Sequence, residues 1–190
     1  MQPQLTNRAT ALIPAHGGYK NLKSFQQSEL VYDATIKFCE RFIDPRSRTT
    51  DQMIQAARSG RQNIAEASQA SGTSKKTELK LVGVARASLE ELLLDCQDFL
   101  RQRSLQLWPK EHPIAAAVRK LAYAPNRTYS TYRTYIENSP SETAANTLIC
   151  LIHQTNYLLD QQLRHLEKAF LQEGGFTERL YRARSQHRAK

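Results

Sequence analysis

The chain has 190 residues, 40% of them hydrophobic, and a formal net charge of +9, with a sequence pI near 9.6. That apolar content can build one or two small domains with a core, so disorder is not the default. The charge favours a polyanion or an acidic protein surface as partner over a neutral metabolite. Seven glycines and seven prolines, most of them at segment borders, argue against a turn-rich sheet fold and against a glycine-cradled nucleotide site.

Residues 1 to 18 carry Pro14 and the Gly17-Gly18 pair and no sustained period, so they read as a mobile arm. From Phe25 to Ile43, Val31, Ala34, Phe38 and Phe42 recur at three- and four-residue steps. This is a first helix, ended by Asp44-Pro45 because proline disfavours helix in the residue before it. Thr49 or Thr50 can cap a second helix that places Met53, Ile54, Ala57, Ile64, Ala65 and Ser68 on one side and stops near Gly72. Thr73 or Ser74 can cap a third, whose stripe is Val82, Ala85, Leu89, Leu92, Cys96, Phe99 and Leu100, ending before Trp108-Pro109. Ser139-Pro140-Ser141-Glu142 reads as an N-cap serine, a proline at the first helical position and a glutamate three residues after the cap. It starts a fourth helix with Ala144, Leu148, Leu151, Ile152, Thr155, Leu159, Leu163, Leu166 and Phe170 on one face. Gly174-Gly175 allows a left-handed closing turn covered by Phe176.

The segment 107–138 between the third and fourth helices differs in character, with one short helix expected around Ile114 to Leu121. Residues 101 to 140 hold seven Lys and Arg against Glu111 and Glu137 alone, and Tyr123, Tyr129, Tyr132 and Tyr135 interleave with the arginines. Beyond Glu178 the tail carries Arg179, Arg182, Arg184, Arg188 and Lys190 with no acid. Such a run repels itself and is expected to stay loosely ordered until an anion binds.

Little supports catalysis. His16, His112, His153, His165 and His187 are scattered, with no pair at the helical spacing that would hold a metal, and no GxSxG, Walker A or GxGxxG spacing occurs. His153 and His165 fall outside the apolar stripe and read as solvated. Glu90, Glu91, Asp95 and Asp98 lie mostly off the core stripe and read as a solvated or interface face. Arg61 sits within the apolar face of the second helix and needs a partner if buried. Glu90, or Glu66 of another subunit, could serve. Alternatively that face, with Arg58 on its edge, lines a subunit interface or channel. Nucleic-acid binding asks for cations along a phosphate track and, for single strands, aromatic faces for stacking. Arg119, Lys120, Arg127, Tyr129, Tyr132 and Arg133 supply both, and Arg182, Arg184 and Arg188 extend the charge; the tyrosines could equally pack the crossover against the helices. Large apolar residues that would insert beside the tail's charges at a membrane are missing. No run of about eighteen apolar residues could span a bilayer, the N-terminal residues lack a signal h-region, and Cys39, Cys96 and Cys150 form no CxxC pair, so a cytoplasmic protein is expected.

Tyr19-Lys20-Asn21-Leu22, Asn63-Ile64-Ala65-Glu66, Ser74-Lys75-Lys76 and Ala85-Arg86-Ala87-Ser88-Leu89-Glu90-Glu91-Leu92 stand in an order and spacing that resembles a four-helix-bundle family. It was first noticed as products of intervening sequences in 23S ribosomal RNA genes, and it includes the accessory variability determinant of diversity-generating retroelements. Residues 156–162 and 173–180 are similar to the suffix domain of one branch of that family; Ala67 stands where the family usually has glycine. The resemblance implies no catalytic residues and no cofactor. It implies a pentameric homo-oligomer that binds RNA or DNA and a reverse transcriptase, with Arg58, Arg61, Lys75, Lys76 and Arg86 nearest the matched motifs. The expectation is therefore an all-α, antiparallel four-helix bundle over 19–176, with a basic insertion at 107–138 and a helical C-terminal suffix ending in the basic tail 177–190. Its expected role is that of a non-enzymatic nucleic-acid-binding accessory protein. The competing expectation is a protein-interaction scaffold whose charge serves solubility and docking.

Overall fold

The computed structural model describes residues 12–189. Helices dominate: α1 (Lys23–Phe42), α2 (Arg48–Ala70), α3 (Lys75–Gln102), α4 (Pro113–Lys120), α5 (Arg133–Glu137), α6 (Ser141–Glu173) and α7 (Phe176–Arg188), with no strand among the described residues. The four long helices are α1, α2, α3 and α6. Helix α1 packs on α2 and α6, and α3 packs on the same two, so their apolar stripes face a shared interior. Val31, Ala34 and Phe38 of α1, Met53, Ala57 and Ile64 of α2, Leu89, Leu92 and Cys96 of α3, and Leu148, Ile152 and Leu159 of α6 are fully buried there. Burying a large apolar side chain contributes about 1.5–3 kcal/mol, and this shared burial, more than helix propensity, holds the long helices in place.

The α2–α3 interface is the most extensive, and small residues explain its closeness. Ala56, Ala57, Gly60 and Ala67 of α2 and Ala85 and Ser88 of α3 are buried, Gly60 lies against Ala85 and Leu89, and Ser59 hydrogen-bonds Ser88 at 3.0 Å. A Cβ at Gly60 would lie 2.8 Å from both Cγ and Cδ2 of Leu89, a fully buried side chain with no room to retreat. Gly60→Val is therefore expected to lower stability by about 1–3 kcal/mol through overpacking, read as a lower urea midpoint at unchanged slope.

The helix starts show what decides a cap. Asp44 accepts from the Arg46 amide (2.8 Å), and the turn places Ser47, not Thr49 or Thr50, at the N-cap of α2, its hydroxyl accepting from the Thr49 amide at 3.2 Å. Ser74 caps α3 as expected, accepting from the Thr77 amide at 3.1 Å. At α6 the expected cap is corrected: Ser139 turns its hydroxyl back to the Tyr135 carbonyl, Pro140 takes the cap position, and no side chain caps the helix. Glu142 is drawn away to the indole of Trp108 (3.0 Å) and the amide of Gln106 (3.1 Å).

Residues 1–11 of the arm expected to be mobile lie outside the described residues. Gly17 is fixed on α2, donating its amide to Ser68 O (3.0 Å) and accepting from the Ser68 hydroxyl (2.9 Å). At the other end α6 outruns the buried interior: Leu166 is its last buried residue, and Leu171 is 76% exposed. Gly174 takes φ +74°, a conformation that favours glycine, and its amide still bonds Phe170 O (2.9 Å). The basic tail, expected to be loose, is helix α7 with no buried residue. Glu178 accepts from the Gly175 amide (2.8 Å) at its start, and Arg182 reaches back to the Glu173 carbonyl (3.0 Å); these local bonds offset the repulsion among its arginines.

Candidate nucleic-acid interface

The expected cationic residues fall into three groups. On α2 and α3, carboxylates pair with two of the five, Lys75 and Arg86. Lys75 pairs with Glu78 at 3.0 Å, and Arg86 pairs with Asp160 of α6 at 2.7 Å and with Glu90 at 3.5 Å. Arg61 is half-buried and finds neither Glu90 nor any other carboxylate in ion-pair contact among the described residues. Its guanidinium lies over the Tyr32 ring, 4.1 Å from the centroid, a contact that needs no carboxylate. Partial burial raises the carboxyl pKa of nearby Asp33, and the Arg61 charge opposes that rise. Arg58 and Lys76 are exposed. Of the acidic set on α3, Asp98 pairs with Arg101 at 2.8 Å, and Asp95 has its pKa raised by burial and by its neighbours Asp98 and Glu91.

In the crossover the tyrosines divide. Tyr132 is fully buried and belongs to the core with Ile136 and Val118, so its ring is closed to a stacking base. Three-residue steps put Tyr129, Tyr132 and Tyr135 on one side of tight helical turns, and that side packs inward. Tyr129 is half-buried and donates to Glu137 at 3.0 Å, which also pairs with Arg133 at 3.2 Å. Burial and this hydrogen bond both raise the Tyr129 pKa. For Glu137 partial burial pushes upward, but the bonds from Tyr129 and Arg133 outweigh it and hold the carboxyl below its ordinary range. The Tyr132 hydroxyl is buried without a partner among the described residues. Because an unsatisfied buried hydroxyl costs free energy, Tyr132→Phe is expected to raise stability by about 1 kcal/mol, seen in a urea melt, and to leave nucleic-acid affinity unchanged.

Arg119 and Arg127 alone among the expected residues share a cavity, of about 660 Å³, bounded by the start of α1, the segment 107–127 and the middle of α6. Lys23 and Lys110 join them in its wall. The guanidinium of Arg119 donates to Lys110 O, and that of Arg127 donates to Ala122 O. Both bonds fix the side chains while leaving their charges uncompensated. None of the four cations makes an ion pair among the described residues, and no Asp or Glu lines the cavity. Lys120 and Arg133 are exposed elsewhere on the crossover, and Arg182, Arg184 and Arg188 are exposed on α7.

Aromatic surface adjoins the charge. Trp108, Tyr123 and Tyr157 line the same cavity, the two tyrosines 89% and 63% exposed. Trp108 is held rigidly: its indole donates to Glu142, its amide donates to Asn146 at 2.8 Å, and His112 stacks on it at 4.1 Å. His153, exposed as expected, also reaches this wall. Sequence reading treated Trp108 only as a helix terminator and did not single out Lys23 or Tyr157 for binding, because their convergence depends on α6 returning beside the crossover.

The cysteines are all free. Burial pushes the Cys39 thiol up to about 12 and the Cys96 thiol well above its usual range, which makes both poor nucleophiles. Cys150 lines the cavity; burial raises its pKa against the opposing charge of Arg119. Among the described residues no three His, Cys, Asp or Glu side chains converge to hold a metal ion, and no helix is long and apolar enough to cross a membrane. Set against protein-family models, curated proteins and solved structures, the chain matches none.

Proposed function

We propose that this protein is a non-enzymatic, cytoplasmic accessory protein that binds single-stranded RNA or DNA through its crossover. The observation that carries the reading is the convergence of Lys23, Lys110, Arg119 and Arg127 with three aromatic residues around one cavity that, among the described residues, no carboxylate lines. Cations without partners attract phosphates and release their counterions, and aromatic faces hold unstacked bases. The exposed arginines of α7 extend the field. In this reading α1, α2, α3 and α6 form an antiparallel four-helix bundle. The motif resemblance adds a pentameric homo-oligomer working beside the reverse transcriptase of a diversity-generating retroelement.

A second reading, a protein-interaction scaffold, draws on the end of α6 and on α7, where Leu171 and Tyr181 are 76% and 74% exposed. Deleting residues 181–190 separates the two. The nucleic-acid reading expects weaker binding of a labelled oligonucleotide, with oligomer mass by light scattering unchanged. A deletion that leaves oligonucleotide binding intact and abolishes assembly supports the scaffold instead.

A further inference from the structure

The cavity has the size of a small-ligand site as well as the charge of a phosphate track. Its volume of about 660 Å³ falls within the range of about 300–1,000 Å³ common to small-ligand sites. Its wall also carries the side chains of Gln27 and Gln154. Gln27, 1% exposed on α1, donates to the Gln154 side-chain oxygen at 3.1 Å, which ties α1 to α6 beneath the cavity.

We propose that the cavity between α1, the crossover and α6 is a nucleotide site, taking one unpaired base against Trp108 and the neighbouring Tyr123 and Tyr157 with its phosphate toward Lys110 and Arg119. The inference rests on the nucleic-acid reading but asks more of the site: an isolated mononucleotide should occupy it. One face of Trp108 is already covered by His112, which orients the indole and leaves its remaining surface for the base. Tyr123 and Tyr157 stand exposed beside the cavity, where a base would gain stacking area. The phosphate belongs on the cationic side, where charge-assisted hydrogen bonds to the Arg119 guanidinium, held on Lys110 O, and to the exposed Lys110 ammonium are strong. The same nucleotide chemistry could come from a strand or from a free pool, so the test includes both.

Trp108 is the sole tryptophan, so intrinsic emission reports on the cavity directly. The full-length protein is titrated with AMP, with adenosine, with inorganic phosphate and with a short labelled oligoadenylate, the last followed also by anisotropy. AMP is expected to quench Trp108 saturably and to slow alkylation of Cys150. Adenosine should bind about ten-fold more weakly for want of the phosphate contacts, and phosphate alone should leave the emission unchanged. Lys110→Ala and Tyr123→Ala alter exposed side chains, so both variants should fold, and each should weaken AMP about three- to ten-fold. Oligoadenylate binding by anisotropy without AMP quenching or Cys150 protection overturns the nucleotide site and leaves the nucleic-acid reading standing. AMP binding without any oligoadenylate binding overturns the nucleic-acid reading and keeps a site for free nucleotide. AMP quenching of equal strength in both variants overturns the placement proposed here.

Discussion

Replacing Lys23, Lys110 and Arg119 together by glutamine is expected to weaken single-strand binding about a hundred-fold near 0.1 M salt and to flatten its salt dependence. Each phosphate contact on a single strand adds about 0.7 to the slope of log affinity against log salt, so three lost contacts remove about 2 from the slope. At that salt each contact is a factor of about five. The three residues come from three places in the chain, the start of α1, the loop after α3 and the end of α4. They matter together only because one cavity gathers them. Arg86→Gln is the control. Asp160 and Glu90 already neutralise Arg86, so its loss should leave the slope nearly unchanged and affect stability by less than about 1 kcal/mol, as for partly exposed ion pairs. Salt-series titrations of the two variants beside the parent protein check both expectations.

Phe38→Ala is expected to have the largest effect on folding, about 3–5 kcal/mol. Phe38 is fully buried, with Phe99 edge-on at 4.9 Å and Phe42 tilted at 5.4 Å, so truncation removes stacking from two helices and leaves a void between α1 and α3. For a chain of this size the melting temperature should fall by about 6–20 °C. Total stabilities of single domains are about 5–15 kcal/mol, so an unfolded fraction could become measurable. Phe38→Leu, which keeps most of the volume, should cost less than about 1.5 kcal/mol. Thermal and urea melts followed by circular dichroism distinguish these outcomes.

The long helices were legible because their burial is periodic. Every stripe residue named for the third helix, from Val82 to Leu100, is buried, and Asp44-Pro45 ends the first helix where a proline should. What escaped reading was set by distant partners. Ser139 is a good cap by type, but the Tyr135 carbonyl captures its hydroxyl. Glu142 would suit the third position of a capping box, but Trp108, distant in sequence, takes its carboxylate. Tyr132 has the residue type of a base-stacking platform, and only the docking of α5 against α1 and α6 shows that its ring is core. The basic crossover was visible as composition. The choice of Arg119 and Arg127, with Lys23 and Trp108 as companions, required the return of α6 beside it. Helix α7 illustrates the opposite case: a charge run suggests a loose tail, while Glu178 caps the start of α7 and Arg182 reaches back to the last carbonyl of α6.

The most direct test of the central claim is the affinity of the full-length protein for a labelled single strand across a salt series. The crossover cations require affinity to fall steeply as salt rises, with a slope of about −2 or steeper from three or more phosphate contacts. Affinity that stays flat from low to high salt, or no binding by a well-folded protein, would contradict it.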